Sequence, residues 1–338
     1  MQRTLDSFWK NSSEKLFCLA PMEDVTDTSF REVVMSVSKP GSLHVVYTEF
    51  TSTDGLCHPV GKDKVSHRLL VNDSERALLK QQGIKLVAQI WGSDPEKYRK
   101  VAKELTEEYA FDGIDINMGC PVKKIVKQAS CSALIAFPDL AKEIIQATQE
   151  STHLPVSVKT RTGLKQHTTE AWLSHLFSCK PDALILHART QKMMSDFPAE
   201  WDQLSIAAKV RDEISPDTAL IGNGDVFSYQ DAMEMINQYP VDGVMVGRGI
   251  FKDPRIFHPG HPEPSPQEQM DLLLKHARLF IATWGNSKNF NMLKRFFKIY
   301  IHGFHGAAEL RGLLMETQSI SQVEDLIHSW RGKDLAIL

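Results

Sequence analysis

The chain is short of several features that would narrow its chemistry at once. It has five cysteines in 338 residues: Cys18, Cys57, Cys120, Cys131 and Cys179. The number is odd and no Cys-x-x-Cys pair occurs. That argues against a disulfide framework and a thiolate metal site, and suits free thiols in a reducing cytosol. No metal is expected. No apolar run reaches the length of a bilayer-spanning helix, and the polar stretch from Met1 to Lys15 lacks a signal-type apolar core. The expected location is cytoplasmic, with no membrane partner. Neither sign of charge dominates: 39 Lys and Arg against 42 Asp and Glu leave a formal −3. A polyanionic partner would have to be met by a local basic patch. No glycine-rich dinucleotide fingerprint is present, so a firmly held dinucleotide is not expected. Internal repeats beyond the strand–helix alternation and low-complexity segments are absent as well.

What is present is a rhythm. Eight short apolar segments, at 16–20, 45–48, 86–90, 113–116, 156–159, 183–187, 219–221 and 243–246, alternate with helical patterns. That number and spacing predict an α/β fold, a (β/α)8 TIM barrel over residues 1–257. A doubly wound open sheet is the alternative, and the lack of an order reversal favours closure. Residues 1–14 read as an irregular lead-in, and 52–74 as a long polar connection. Ser93 as N-cap, Pro95 and Glu96 predict a helix start, with a capping box, for a helix running to 110. Residues 258–266 hold four prolines and read as a linker. A small all-helical C-terminal domain follows at 267–338, with helices at 267–282, 292–302, 307–315 and 321–329.

In such a barrel the chemistry belongs at the C-terminal ends of the strands. The fourth strand runs straight into Asn117-Met-Gly-Cys120-Pro121. Gly119 permits a turn and Pro121 stiffens the chain just after the cysteine, so the Cys120 thiol sits on a short rigid loop. It is better placed than the other cysteines as an acid or nucleophile. Gly222, Gly224, Gly247 and Gly249 flank the seventh and eighth strand ends, where barrels often hold phosphate. Arg248 adds a charged donor, and a helix starting after Gly249 would add its dipole. The other reading is that these glycines only shape tight turns. Lys159 either stabilises negative charge on a bound heterocycle, snorkels to solvent, or forms a Schiff base. Gln89 suits a ring edge but equally satisfies buried backbone. His187 contacts phosphate or substrate, or bonds within the barrel. Asn117 either holds a ring carbonyl or caps its own turn.

Taken together these pieces resemble the tRNA-dihydrouridine synthases. The matching stretches are Ala20-Pro-Met-Glu-Asp-Val-Thr-Asp27, Thr48-Glu-Phe50, Val87-Ala-Gln-Ile90, Asp115-Ile-Asn-Met-Gly-Cys-Pro121, Val158-Lys-Thr-Arg-Thr-Gly163, Leu186-His-Ala-Arg-Thr190, Gly222-Asn-Gly-Asp225 and Val246-Gly-Arg-Gly249. They follow the family's order across nearly the whole barrel, and the tail resembles the family's helical domain. The resemblance implies a non-covalent FMN, NADPH as reductant and a tRNA uridine as substrate. It implies that Pro21, Met22 and Glu23 line the flavin and that Gln89 and Lys159 contact its ring. Asn223, Gly224, Asp225, Gly247 and Arg248 would hold the phosphate end, with His187 also at the cofactor, and Cys120 would be the proton donor. Asn117 and Arg161 would meet the substrate, and Lys294, Arg295, Lys298 and Arg311 the tRNA. Lys123, Lys124, Lys127 and Lys192 are further basic residues near the mouth. A monomer is the simpler expectation for a protein gripping a large RNA. Family members usually carry a glycine-rich run where this chain has Ala129-Ser130-Cys131-Ser132. The competing functions are an FMN barrel oxidoreductase acting on a free small molecule, a tRNA-binding homologue with impaired catalysis, and a non-redox Schiff-base barrel.

Overall fold

Aliphatic and β-branched runs between polar turns pair side by side in a computed structural model that describes residues 7–10 and 14–331. Most of the lead-in at 1–14, and the tail beyond 331, lie outside the described residues. The strands are β1 (Leu16–Leu19), β2 (Val45–Tyr47), β3 (Lys85–Trp91), β4 (Gly113–Met118), β5 (Val156–Arg161), β6 (Ala183–His187), β7 (Ala219–Asn223) and β8 (Gly243–Val246). All pair in parallel with their sequence neighbours, and β1 pairs with β8, which closes the barrel. A two-residue strand, Thr51–Ser52, adds to the end of β3. The fold is the expected TIM barrel.

Successive strand residues point to opposite faces. Leu16, Cys18, Val45, Tyr47, Val87, Ile185, Ile221 and Met245 fill the barrel interior. Leu19, Val46, Leu86, Ile114, Val158 and Leu184 face outwards under the helices. Both faces are buried, so the strands read as near-continuous apolar runs. Trp9 is part of the interior cluster and packs beneath it, which the irregular reading of the lead-in did not anticipate.

The covering helices are α1 (Thr28–Val37), α2 (Asp73–Gln82), α3 (Pro95–Glu108), α4 (Pro138–Glu150), α5 (Thr169–Phe177), α6 (Asp202–Ile214) and α7 (Tyr229–Gln238). The N-cap of α3 is Asp94, not Ser93: with Pro95 at the first helical position, the residue just before it accepts from the Glu96 amide at 3.0 Å. The connection at 52–74 is more structured than expected. It carries two short helices, Thr53–Cys57 and Pro59–Val65, because Ser52 and His58 cap their starts and Pro59 presets the turn.

Beyond β8 the chain makes only a four-residue 3-10 turn, Arg248–Phe251, in place of the helix start expected to lend its dipole. The tail helices are α8 (Pro266–Trp284), α9 (Ala307–Glu316) and α10 (Ile320–Arg331). A capping box of Ser265 and Glu268 opens α8. The helix expected at 292–302 is broken into Asn291–Lys294 and Phe297–Tyr300. Phe296, Phe297, Ile299, Tyr300 and Ile301 are all buried. The segment is covered on more than the single inward stripe of a surface helix. The tail leans on the barrel through α8 against α1. Trp284 Nε1 donates to Asp27 Oδ2 at 2.7 Å, and Lys288 Nζ reaches the same oxygen at 3.0 Å while lying 3.7 Å over the Trp284 ring.

Candidate active site

The strand register sets Arg161 of β5 opposite His187 of β6, and His187 opposite Asn223 of β7, with Lys159 two residues back along β5. Their C-terminal ends enclose a cavity of about 220 Å3 with Pro21, Met22, Arg189, Gly224, Asp225, Gly247 and Arg248. Four cations line it, Lys159, Arg161, Arg189 and Arg248, against one carboxylate, Asp225. That balance favours an anionic ligand. A cavity of about 300 Å3 at the opposite end, against Trp9 and Arg211, contains none of the expected site residues.

These charges are fixed by protein partners. Asp225 accepts both NH2 bonds of Arg189, at 2.6 and 2.5 Å, the Ala199 amide at 2.8 Å and Arg248 NH2 at 3.3 Å. Partial burial opposes the charge of Asp225, but the Arg189 bond and charge hold it below the usual carboxylate range. Arg189 also donates to the Phe197 carbonyl at 2.6 Å and to His187 Nε2 at 3.0 Å. A guanidinium only donates, so Nε2 must accept and the ring proton sits on Nδ1. Burial and the cations Arg161, Lys159, Arg189 and Arg248 push His187 well below its ordinary value, and it is neutral. Lys159 donates to Asn223 Oδ1 at 3.0 Å, and Asn223 donates to the Met245 carbonyl at 2.8 Å. Burial and Arg161 bring Lys159 down to about 8, which leaves it mainly protonated at neutral pH. Gly224 has φ +126, and a Cβ there would sit 2.8 Å from Ala199 and 3.2 Å from the His187 ring, so only glycine lets the chain come this close.

The adjoining strand end carries the thiol. Asn117 Oδ1 accepts from the amides of Gly119 and Cys120, both at 3.0 Å, and so caps its own turn. Gly119 is not left-handed, and a Cβ there would meet the Lys159 carbonyl at an ordinary contact distance of 3.4 Å, so the turn does not depend on glycine. Arg161 ties the two halves together by donating to the Gly119 carbonyl at 2.8 Å. Cys120 is half-buried beside Trp91, Phe50, Ile125 and Cys131. Cys131 packs beside Cys120 and brings its thiol down to about 7, with burial and Glu23 acting against and the Val122 amide and Arg161 acting with it. Ser132 holds the Cys120 carbonyl by its hydroxyl at 2.7 Å and its amide at 3.3 Å. In this loop Ala129 and Cys131 adopt φ +53 and +54. Such angles favour glycine and cost an ordinary residue about 1 kcal/mol each. The glycine-rich run that the resemblance leads one to expect here would relieve both angles, and this chain has none.

The dihydrouridine synthase family model matches residues 18–330. A "Probable tRNA-dihydrouridine synthase" of Staphylococcus epidermidis is 42% identical over 330 residues, 97% of each chain. A "Probable tRNA-dihydrouridine synthase 2" of Bacillus subtilis is 41% identical over 332 residues, 98% of each. The chain belongs to the dihydrouridine synthase family. Among solved structures, a 6-hydroxypseudooxynicotine amine oxidase of Pseudomonas geniculata superposes with TM-score 0.52 at 13% identity, over 71% of this chain and 46% of its own, a likeness of fold alone.

In this dihydrouridine synthase the cavity gathers Pro21, Met22, Lys159, Arg161, His187, Asn223, Gly224, Asp225, Gly247 and Arg248. Other expected residues lie elsewhere. Glu23 is exposed and paired with Arg68 at 3.0 Å. Gln89 is fully buried, with both ends of its amide bonded, to Asp115 and Asn117. Arg161 is buried and gives its other bonds to the Thr190 and Met194 carbonyls, at 3.0 and 2.8 Å, which leaves it little to offer tRNA. Lys294 is buried on the Met315 carbonyl at 2.6 Å, and Arg311 bonds the Ile301 carbonyl at 2.7 Å; each serves the tail's own packing. Arg295 and Lys298 are exposed, and Arg295 reaches the Asp24 carbonyl at 3.0 Å, which brings this part of the tail to the loop after β1. Arg189 was missed as a site residue, although it lies in the Leu186–Thr190 stretch. The signal was a second arginine two residues past a strand-end histidine.

Proposed function

We propose that this enzyme reduces the C5–C6 double bond of a tRNA uridine to 5,6-dihydrouridine in the cytoplasm, working as a monomer. FMN is held non-covalently, NADPH is the reductant and Cys120 is the proton donor. The observation that carries the reading is the pairing of a small cavity lined by four cations with a thiol near neutrality on the next strand end. The donor set fits the FMN phosphate: Arg189 and Arg248 are preset by Asp225, and Gly224 lets the backbone approach. Lys159 and Asn223 lie further in and would face the ring system.

Bound there, FMN supplies the hydride that adds to uracil C6. The uracil is then left with negative charge spread over C5 and O4. A proton donor works best when its pKa lies near the operating pH, and Cys120 meets that condition. Its proton goes to C5. The protonated Lys159 sits at the same mouth and offsets the developing negative charge. The target base has to leave its stack to reach the barrel mouth. Exposed Lys123, Lys124 and Lys298, with Arg295, offer the RNA backbone its contacts.

The test is anaerobic. The protein is reduced with NADPH, and tRNA lacking dihydrouridine is added. The expected result is flavin reoxidation with dihydrouridine formed at a defined position. Reoxidation by free uridine or an enone, with none by tRNA, would replace this reading by that of a small-molecule oxidoreductase. tRNA binding without reoxidation would mark an impaired homologue.

A further inference from the structure

A carboxylate sits inside the barrel where a core residue would be apolar. Asp115 of β4 is fully buried, aligned with Gln89 of β3 on one side and Ser157 of β5 on the other. Burying an ionised carboxylate is costly unless it is well bonded. Its Oδ1 accepts from Ser157 Oγ at 2.6 Å and its Oδ2 from Gln89 Nε2 at 2.7 Å. Gln89 Oε1 in turn accepts from Asn117 Nδ2 at 3.0 Å. Asn117 Oδ1 accepts from the Gly119 and Cys120 amides, at 3.0 Å each.

The direction of every bond in this chain is set by its buried end. Burial raises Asp115 to about 6, so at neutral pH it is mainly ionised and only accepts, and Gln89 must turn its NH2 towards it. Its carbonyl then faces Asn117, which must present its own NH2. The Asn117 carbonyl is left for the loop amides. Reversing either amide sets two donors or two acceptors face to face. We infer that Asp115 is a positioning residue for Cys120, setting the polarity of a relay through Gln89 and Asn117 that grips the thiol-bearing loop by its backbone amides. The inference deepens the proposed function and rests on Cys120 being the proton donor there. The ionisable groups around Asp115 are Lys159, Tyr47, Cys18 and Tyr98. Those acting on Cys120 are Cys131, Glu23, Arg161 and Lys159.

The test is the pH dependence of Cys120 alkylation by iodoacetamide in the holoenzyme, read on the Cys120 peptide by mass spectrometry. The native midpoint is expected at about 7. Asp115→Leu removes the acceptor, and the midpoint is expected to move towards the ordinary thiol value of about 8.5 with FMN retained. Asp115→Asn is expected to restore the native midpoint. Its carbonyl can accept from Gln89 while its NH2 donates to the Ser157 hydroxyl, which accepts as readily as it donates. An unmoved midpoint in folded Asp115→Leu overturns the relay, and so does an Asp115→Asn shift as large as that of Asp115→Leu. If Asp115→Leu does not fold, Gln89→Met cuts the same relay with a side chain of similar length. It is expected to give the same shift, and an unmoved midpoint there overturns the relay. Full tRNA reduction by Cys120→Ala alongside a shifted Asp115→Leu midpoint would remove the proton-donor reading and leave the relay standing.

Discussion

The two halves of the barrel mouth are built on opposite principles. The β5–β8 half is an array of charges held by other charges and by carbonyls: Arg189 on Asp225 and Phe197, Arg161 on Gly119, Thr190 and Met194. The thiol on the β4 side has a largely apolar setting, among Trp91, Phe50, Ile125 and Cys131, with the one carboxylate of that strand, Asp115, buried deeper in the barrel. One half suits an anion that must stay. The other suits a proton that must leave, because a thiol among few charges can be tuned by a single neighbour. Holding and reacting are thus divided between adjacent strand ends, joined by the Arg161 bond to Gly119.

The largest expected effect comes from removing the thiol. Cys120→Ala is expected to keep its FMN and lose about 10²–10⁴-fold in single-turnover tRNA reduction. Next is Arg189→Ala, which leaves Asp225 facing the phosphate with its main partner gone. FMN affinity is expected to fall about a hundredfold or more, measured by flavin fluorescence on dilution, since breaking a buried charge pair typically costs about 3 kcal/mol. An unchanged affinity would assign the anion elsewhere. Cys131→Gly probes the thiol half. In the native enzyme the donor form of Cys120 is lost as pH rises through about 7, so kcat/KM for tRNA should fall above that point. Without the Cys131 thiol beside it, Cys120 keeps its proton longer, and the fall should begin roughly one pH unit higher. The smallest effect is expected from Arg248→Ala. Its side chain is 48% exposed and its bonds are long, so FMN affinity should weaken about tenfold or less.

The barrel was legible because each strand is a short apolar run between turn residues, and the strand count fixed the mouth. Cys120, Lys159, His187 and the Asn223–Asp225 turn were legible because they close such runs. Arg189 was not, since its burial depends on Asp225, 36 residues away in sequence. Lys294 reads as a surface charge until the fold brings the Met315 carbonyl to it. Gln89 looks free to meet a ligand until the register sets Asp115 beside it. The broken helix at 292–302 escaped because a local pattern carries no information on how many sides of a segment will be covered.

The division of the mouth is tested most directly by measuring FMN content and single-turnover tRNA reduction side by side in Cys120→Ala and Arg189→Ala. The expected result is opposite losses: flavin retained and reduction abolished in the first, flavin lost and reduction recovered at saturating FMN in the second. Full-rate reduction by Cys120→Ala, or undiminished flavin in Arg189→Ala, would contradict the account.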